Sequence, residues 1–172
     1  ISALAEGGDV MVAEEALALG IEVVAPLPMA QAEYERDFIE PEALARFRHL
    51  LSQARVRVLP LVRGITAKDI ATRGANRNHQ YAQLGMFISS HCQLLLALWD
   101  GNPSDAPGGT AQVVEFHVRN VMPSLDVAQV APNLLADDDG DLVYHVRCSR
   151  RLAPGAPAAA LRAQWLTLNG TH

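Results

Sequence analysis

The chain has little of what marks several function classes. Its two cysteines, Cys92 and Cys148, lie far apart in apolar or strand-like contexts, and no CxxC or Cys/His ligand spacing occurs. That argues against a disulfide framework or a zinc-knuckle site and leaves buried free thiols in a reducing cytosol, so a cytoplasmic protein without metal is expected. Basic charge is short as well: 14 Lys and Arg stand against 19 Asp and Glu, a formal net charge of −5. Nonspecific affinity for duplex DNA comes mostly from cations on phosphates, so a duplex-binding surface is disfavoured. A local basic patch remains open at Arg63, Lys68, Arg73 and Arg77, a stretch with one acid, Asp69. No apolar run approaches the roughly 20 residues that cross a bilayer, and residues 1–30 do not read as a signal peptide, the natural start being expected upstream of Ile1. With 49% apolar and 19% charged residues over 172 positions, the composition is that of a globular domain of ordinary size. There is no HExxH, no P-loop lysine and no GxSxG. Six histidines, at 49, 79, 91, 117, 145 and 172, are scattered singly and assemble no nucleophile–base pair.

What is there centres on residues 93–115, QLLLALWDGNPSDAPGGTAQVVE. An apolar run from Leu94 to Trp99 breaks at Asp100-Gly101, and Gly108-Gly109-Thr110 then opens a segment with apolar residues at helical spacing. This reads as buried strand, loop and glycine-started helix. Backbone N–H groups at such a helix start point outward with the positive end of the dipole behind them, which suits a phosphate or carboxylate. A glycine pair also serves simply to make a tight turn, so both readings stand. Glu115, one and a half turns into the helix, is either a ligand-facing acid or a carboxylate favoured by the dipole.

Upstream, residues 1–8 form a small-residue turn, and Asp9 to Leu19 is helical with Val12, Ala16 and Leu19 on one face and Gly20 as its stop. Ile21 to Leu27 reads as a short parallel strand, so the opening is the second half of a βαβ unit, and a preceding strand is expected upstream of Ile1. Pro41 marks the start of a helix over 42–54 whose buried stripe is Leu44, Phe47, Leu50 and Leu51. The next strand is Val56 to Val62, with Pro60 at an edge or an end of pairing. Residues 63–78 form a polar, glycine-dotted loop, functional or merely mobile. A helix over 79–91 follows, with Arg77 and Tyr81 near its start as candidates for a charge partner and a stacking surface on an anion, or as ordinary surface residues. The helix from Thr110 is expected to reach about Val121, with Val114, Val118 and Val121 inward, before Pro123. The run Asp137 to Asp139 lacks the spacing and distal glutamate of a calcium loop and reads as a solvated turn. Residues 141–149 alternate as a strand, and 150–172 read as an Ala/Pro-rich tail or linker.

The segments SALAEGGDVMVAEEALALGIEVVAPLP, Asp37-Phe38, QLLLALWDG and PGGTAQVVE together resemble the SLOG superfamily of Rossmann-like domains. That superfamily includes the LOG-type phosphoribohydrolases, the DNA-processing protein A and nucleotide sensors. The resemblance spans about residues 1–125 and implies a ligand site at the carboxyl edge of a parallel sheet. Carried over, it assigns Ser2 to the turn before the first helix and Gly108, Gly109 and Thr110 to the phosphate-binding turn. Departures from the enzyme branch stand out. LOG-type enzymes carry PGGxGTxxE; here Pro107, Gly108, Gly109 and Glu115 keep the spacing, whereas Ala111 and Gln112 replace the second glycine and threonine. The catalytic arginine's expected place holds Gln83, Leu84 and Gly85, and no arginine lies between Arg77 and Arg119. The chain therefore resembles the nonenzymatic GGTA-bearing branch, which implies sensing or binding of a nucleotide-derived ligand beside an effector or membrane module.

The combined expectation is an α/β, three-layer Rossmann-like domain over 1–126 with a mostly parallel sheet, followed over 127–172 by a C-terminal loop, strand and tail. The expected ligand is a nucleotide or nucleotide-derived small molecule, its phosphate on Gly108–Thr110 and its base or sugar near Ser2 and residues 73–81. No cofactor is expected, and a homo-oligomer is. The alternatives are a hydrolase of nucleoside 5′-monophosphates using Glu115, and a single-stranded DNA-handling protein.

Overall fold

Gly20 and Pro41, the expected helix stop and helix start, hold those positions in the computed structural model, which describes residues 1–122, 142–149, 161–168 and 170–171. Helix α1, Gly8–Ala18, closes with the Gly20 N–H on the Leu17 carbonyl (3.0 Å) and the Ile21 N–H on the Ala16 carbonyl (2.8 Å). That is a Schellman cap, with Gly20 in the left-handed region at φ 74°. The cap also explains why the strand is shorter than expected. Ile21 spends its N–H on the helix, and β1 runs only from Val24 to Leu27.

The chain is α/β, as its pattern predicts, but its strands form two small sheets. The described residues divide into a first unit, Ile1–Leu84, and a second, Gly85–His172. The boundary expected at 126/127 and the acidic run at 137–139 lie outside the described residues.

In the first unit β1 pairs in parallel with β2, Arg55–Val58, in the register Val24↔Arg55 to Leu27↔Val58. The last rung is the Leu59 N–H on the Leu27 carbonyl at 2.9 Å, and Pro60, lacking an N–H, ends the ladder. On its other side β1 receives one bond, from the Ser2 N–H to the Val24 carbonyl (3.0 Å). Between the strands lie α2 (Gln31–Tyr34), a 3₁₀ turn (Glu35–Asp37) and α3 (Pro41–Gln53). Phe47, Leu50 and Leu51 of α3 pack with Leu4, Val10, Ala13, Ala25, Leu27, Met29 and Tyr34, and Leu44 is partly buried against them. Arg46 clamps Glu14 of α1, and Arg48 clamps Glu35, each at 2.5 Å.

Helix α4, Ala75–Ser90, starts four residues earlier than the expected position 79. The preceding loop is held by short turns: Asp69 accepts the Thr66 N–H (2.8 Å) and hydroxyl (2.6 Å), and Ile70 is buried.

In the second unit β3, Leu94–Trp99, pairs in parallel with β4, Leu142–Arg147; β5, Arg162–Thr167, and β6, Gly170–Thr171, add antiparallel strands. Strand β5 lies where composition suggested a tail. Its alternating Ala163, Trp165 and Tyr144, Val146 pairings explain the order: Trp165 packs edge-on against Tyr144, centroids 4.9 Å apart. Helix α5, Thr110–Arg119, covers the opposite sheet face, with Val114 against Leu95, Ala97 and Val143. Asn120 ends α5 in the left-handed region, φ 56°, so Val121 falls off the helical period and is exposed instead of buried. Gly85 of α4 lets Val113 approach: a Cβ at residue 85 would sit 2.6 Å from Val113 Cγ2.

Candidate functional site

The PGGTAQ stretch builds a turn and an uncapped helix end in the second unit. The Gly109 N–H donates to the Ala106 carbonyl at 3.0 Å, with Pro107 and Gly108 between them and Gly108 at φ 70°. Proline at the second position and a left-handed glycine at the third are the requirements of a type II turn. Gly109 is then the N-cap of α5, in ordinary extended geometry (φ −71°, ψ 161°), and offers no side-chain cap. Gln112 reaches back so that its Oε1 accepts the Gly108 N–H at 3.1 Å. The first intrahelical bond is from the Val113 N–H to the Gly109 carbonyl. The N–H groups of Thr110 and Ala111 meet no acceptor among the described residues, and Thr110 is exposed. Two outward donors at the positive end of a ten-residue helix suit an anion.

Glu115 is half-buried on the same helix, five residues past Thr110, about 7.5 Å along the axis. Among the described residues no arginine or lysine lies within ion-pair distance of it. His117, also on α5, is buried with Nδ1 2.9 Å from Ser89 Oγ. His145 is buried in the sheet, its Nε2 3.0 Å from the Trp99 carbonyl and its Nδ1 3.2 Å from Gln164 Nε2. Each is thus a hydrogen-bonded core residue.

Ser2, Arg77 and Tyr81 belong to the first unit. The Ser2 hydroxyl accepts the Leu4 N–H (3.2 Å) and donates to the Asp9 carbonyl (3.2 Å), so it closes the small-residue turn. Leu4 in that turn has φ 55°, a left-handed conformation disfavoured for a side chain with a Cβ, and is fully buried. The Asp9 carboxyl is pushed above its ordinary range by burial, opposed by the N–H groups of Ala3 and Ala5.

Arg77 and Tyr81 come together, but on a residue of the chain. Arg77, 4% exposed, donates from Nε (3.1 Å) and Nη2 (2.5 Å) to Asp37 Oδ2, from Nη1 to the Ile70 carbonyl (2.7 Å) and from Nη2 to the Glu33 carbonyl (2.7 Å). With four of its five N–H groups used, Arg77 is an organiser of the loops around it and not the outward cation that its place near a helix start suggested. The basic patch is correspondingly reduced to Arg63, Lys68 and Arg73, which are exposed. The Tyr81 hydroxyl donates to the same Asp37 oxygen, and burial together with the Asp37 carboxylate raises its pKa. Its ring lies 6.1 Å from Tyr34, whose hydroxyl donates to the Ala3 carbonyl at 3.2 Å.

Two residues were missed as organisers. In the sequence Asp37 stands out only as half of an Asp-Phe pair, and 40 positions separate it from Arg77, a distance no local spacing bridges. Gln80 is fully buried: its Oε1 accepts the Val62 N–H (2.6 Å), and its Nε2 donates to the carbonyls of Pro28 (2.6 Å) and Pro60 (3.3 Å). It ties together the chain leaving β1 and the chain leaving β2.

Among the described residues no three His, Cys, Asp or Glu side chains converge as a metal site, and no helix is long and apolar enough to cross a membrane. No protein-family model, curated protein or solved structure matches the chain.

Proposed function

We propose that the chain is a binding module for a phosphate-bearing, nucleotide-derived ligand, of the SLOG kind, with the phosphate at the N-terminus of α5. The observation that carries this reading is the pair of uncapped N–H groups at Thr110 and Ala111 behind the Gly108-Gly109 turn. The PGGTAQVVE resemblance supports it. Phosphate recognition here needs no side-chain cation, because oriented N–H groups and the helix dipole supply the positive potential.

Gly109→Asp is the informative substitution. At φ −71° and ψ 161° an aspartate is unstrained, and aspartate is a favoured N-cap. Its carboxylate takes the donors that a phosphate would use and repels the phosphate's charge. The one steric demand is a Cβ 3.1 Å from the Ala106 carbonyl oxygen, which a shift of a few tenths of an ångström relieves. The variant is therefore expected to fold with unchanged or slightly raised stability and to lose binding of AMP and inorganic pyrophosphate in calorimetric titration. Equal affinity in the native chain and the variant would overturn the assignment. Base release from AMP, lost in Glu115→Gln, would instead establish the hydrolase.

A further inference from the structure

In the first unit the loops at the carboxyl ends of β1 and β2 converge on one carboxylate. Asp37 sits after β1, Arg77 at the start of α4, and the Ala3 carbonyl is tied in through Tyr34. A structural arginine–carboxylate pair is ordinarily a fork on a fork, with both oxygens engaged. Here Arg77 Nε, Arg77 Nη2 and the Tyr81 hydroxyl all converge on Asp37 Oδ2. Oδ1 accepts no hydrogen bond among the described residues, and the side chain is 23% exposed. Three donors thus anchor one oxygen of a partly exposed carboxylate and leave the other without a donor among the described residues.

We propose that Asp37 Oδ1 is the acceptor for a hydroxyl pair of a polyhydroxylated ligand, a sugar or the cis-diol of a ribosyl group. The alternatives fit less well. An anion would meet a carboxylate oxygen. A cation gains little from a carboxylate already neutralised by Arg77 at 2.5 Å. A divalent metal lacks a second and third ligand, since no such cluster occurs among the described residues. A neutral hydroxyl donor is what remains, and a carboxylate that accepts from two neighbouring hydroxyls recognises the diol as a unit. Tyr81, which supplies one of the three donors, is itself only half-buried, its ring packed against the first unit's core, so the carboxylate is held by a fixed side chain. Leu4, strained and buried in the adjoining turn, fits the clustering of backbone strain at binding sites. This inference stands on the first unit alone and does not require the phosphate reading of α5.

The test is calorimetric titration of the native chain with adenosine, which carries a cis-diol and no phosphate, against 2′,3′-dideoxyadenosine. Adenosine is expected to bind roughly ten- to a hundredfold tighter, the range of a hydrogen bond to a charged group. Asp37→Asn keeps the shape. Its amide oxygen must face the three donors of Arg77 and Tyr81, so the NH₂ takes the place of Oδ1 and an acceptor becomes a donor. The discrimination is expected to vanish in Asp37→Asn and to shrink in Tyr81→Phe, which frees the carboxylate to turn. No binding of adenosine, equal affinity for the two nucleosides, or full discrimination in Asp37→Asn overturns the proposal. If Asp37→Asn does not fold, full discrimination in Tyr81→Phe does so. Pyrophosphate binding lost in Gly109→Asp reports separately on α5, so either reading can fail alone.

Discussion

Replacing Gly85 by alanine tests the packing that places α5. An exposed helical glycine changed to alanine gains about 1 kcal/mol of helix propensity. At residue 85 the new Cβ would lie 2.6 Å from Val113 Cγ2, 3.7 Å from Met122 Cε and 3.8 Å from Val113 Cβ. The first distance is about 1 Å short of the ~3.6 Å optimum for carbon pairs. Val113 is β-branched and on a helix, where one χ1 rotamer dominates, so it has no easy escape. Overpacking of this kind costs about 1–3 kcal/mol, which leaves Gly85→Ala destabilising by roughly 1 kcal/mol after the propensity gain. In urea, with a slope of about 2 kcal/mol/M, the midpoint falls by about 0.5 M. Val113→Ala removes the offending methyls, so the same change at Gly85 is expected to stabilise the Val113→Ala background by about 1 kcal/mol. That reversal of sign is the signature of the contact. Gly85→Ala stabilising the native chain would refute the close approach of α4 and α5.

Gln80→Leu strands the Val62 N–H and the Pro28 carbonyl in the first unit's core, at an expected cost of roughly 2–4 kcal/mol in denaturant unfolding; a loss below 1 kcal/mol would contradict the tie. Asp9 supplies a pH test. Burial raises its folded-state pKa above the ordinary 3.8, so the folded chain binds this proton more tightly than the unfolded one. Stability from this group therefore falls as pH rises from 3.8 through the raised value and is level above it. Asp9→Asn, always neutral, is expected to gain in thermal midpoint relative to the native chain at pH 7 more than at pH 4. An equal difference at both pH values would count against burial as the cause.

Much of the fold was legible where local chemistry decides it. Proline at the start of α3, the Gly20 stop and the break at Asp100-Gly101 are positions whose backbone permits few alternatives, and the elements begin or end there. Boundaries shifted where a partner distant in sequence decides them. Ile21 looks like strand by composition but caps α1, Val62 gives its N–H to Gln80 and not to a strand, and Val121 lies past a left-handed asparagine. Strand β5 was hidden because RAQWLT is a strand only once β4 offers it an edge.

The candidate site divides the same way. The Gly108-Gly109 turn is written locally, as a Pro-Gly pair followed by a helix. The polarity of the Arg77 region was not, because whether an arginine faces a ligand or its own chain depends on a carboxylate 40 residues away. With Asp37 in place, that region offers an acceptor in place of the expected cation.

The most direct measurement is of the two amides themselves. In an ¹H–¹⁵N correlation spectrum titrated with AMP, the Thr110 and Ala111 resonances are expected to move downfield and saturably, with neither response in Gly109→Asp. Saturable shifts that bypass both amides, or no shifts with any phosphate-bearing nucleotide, would contradict the assignment of α5 as the phosphate site.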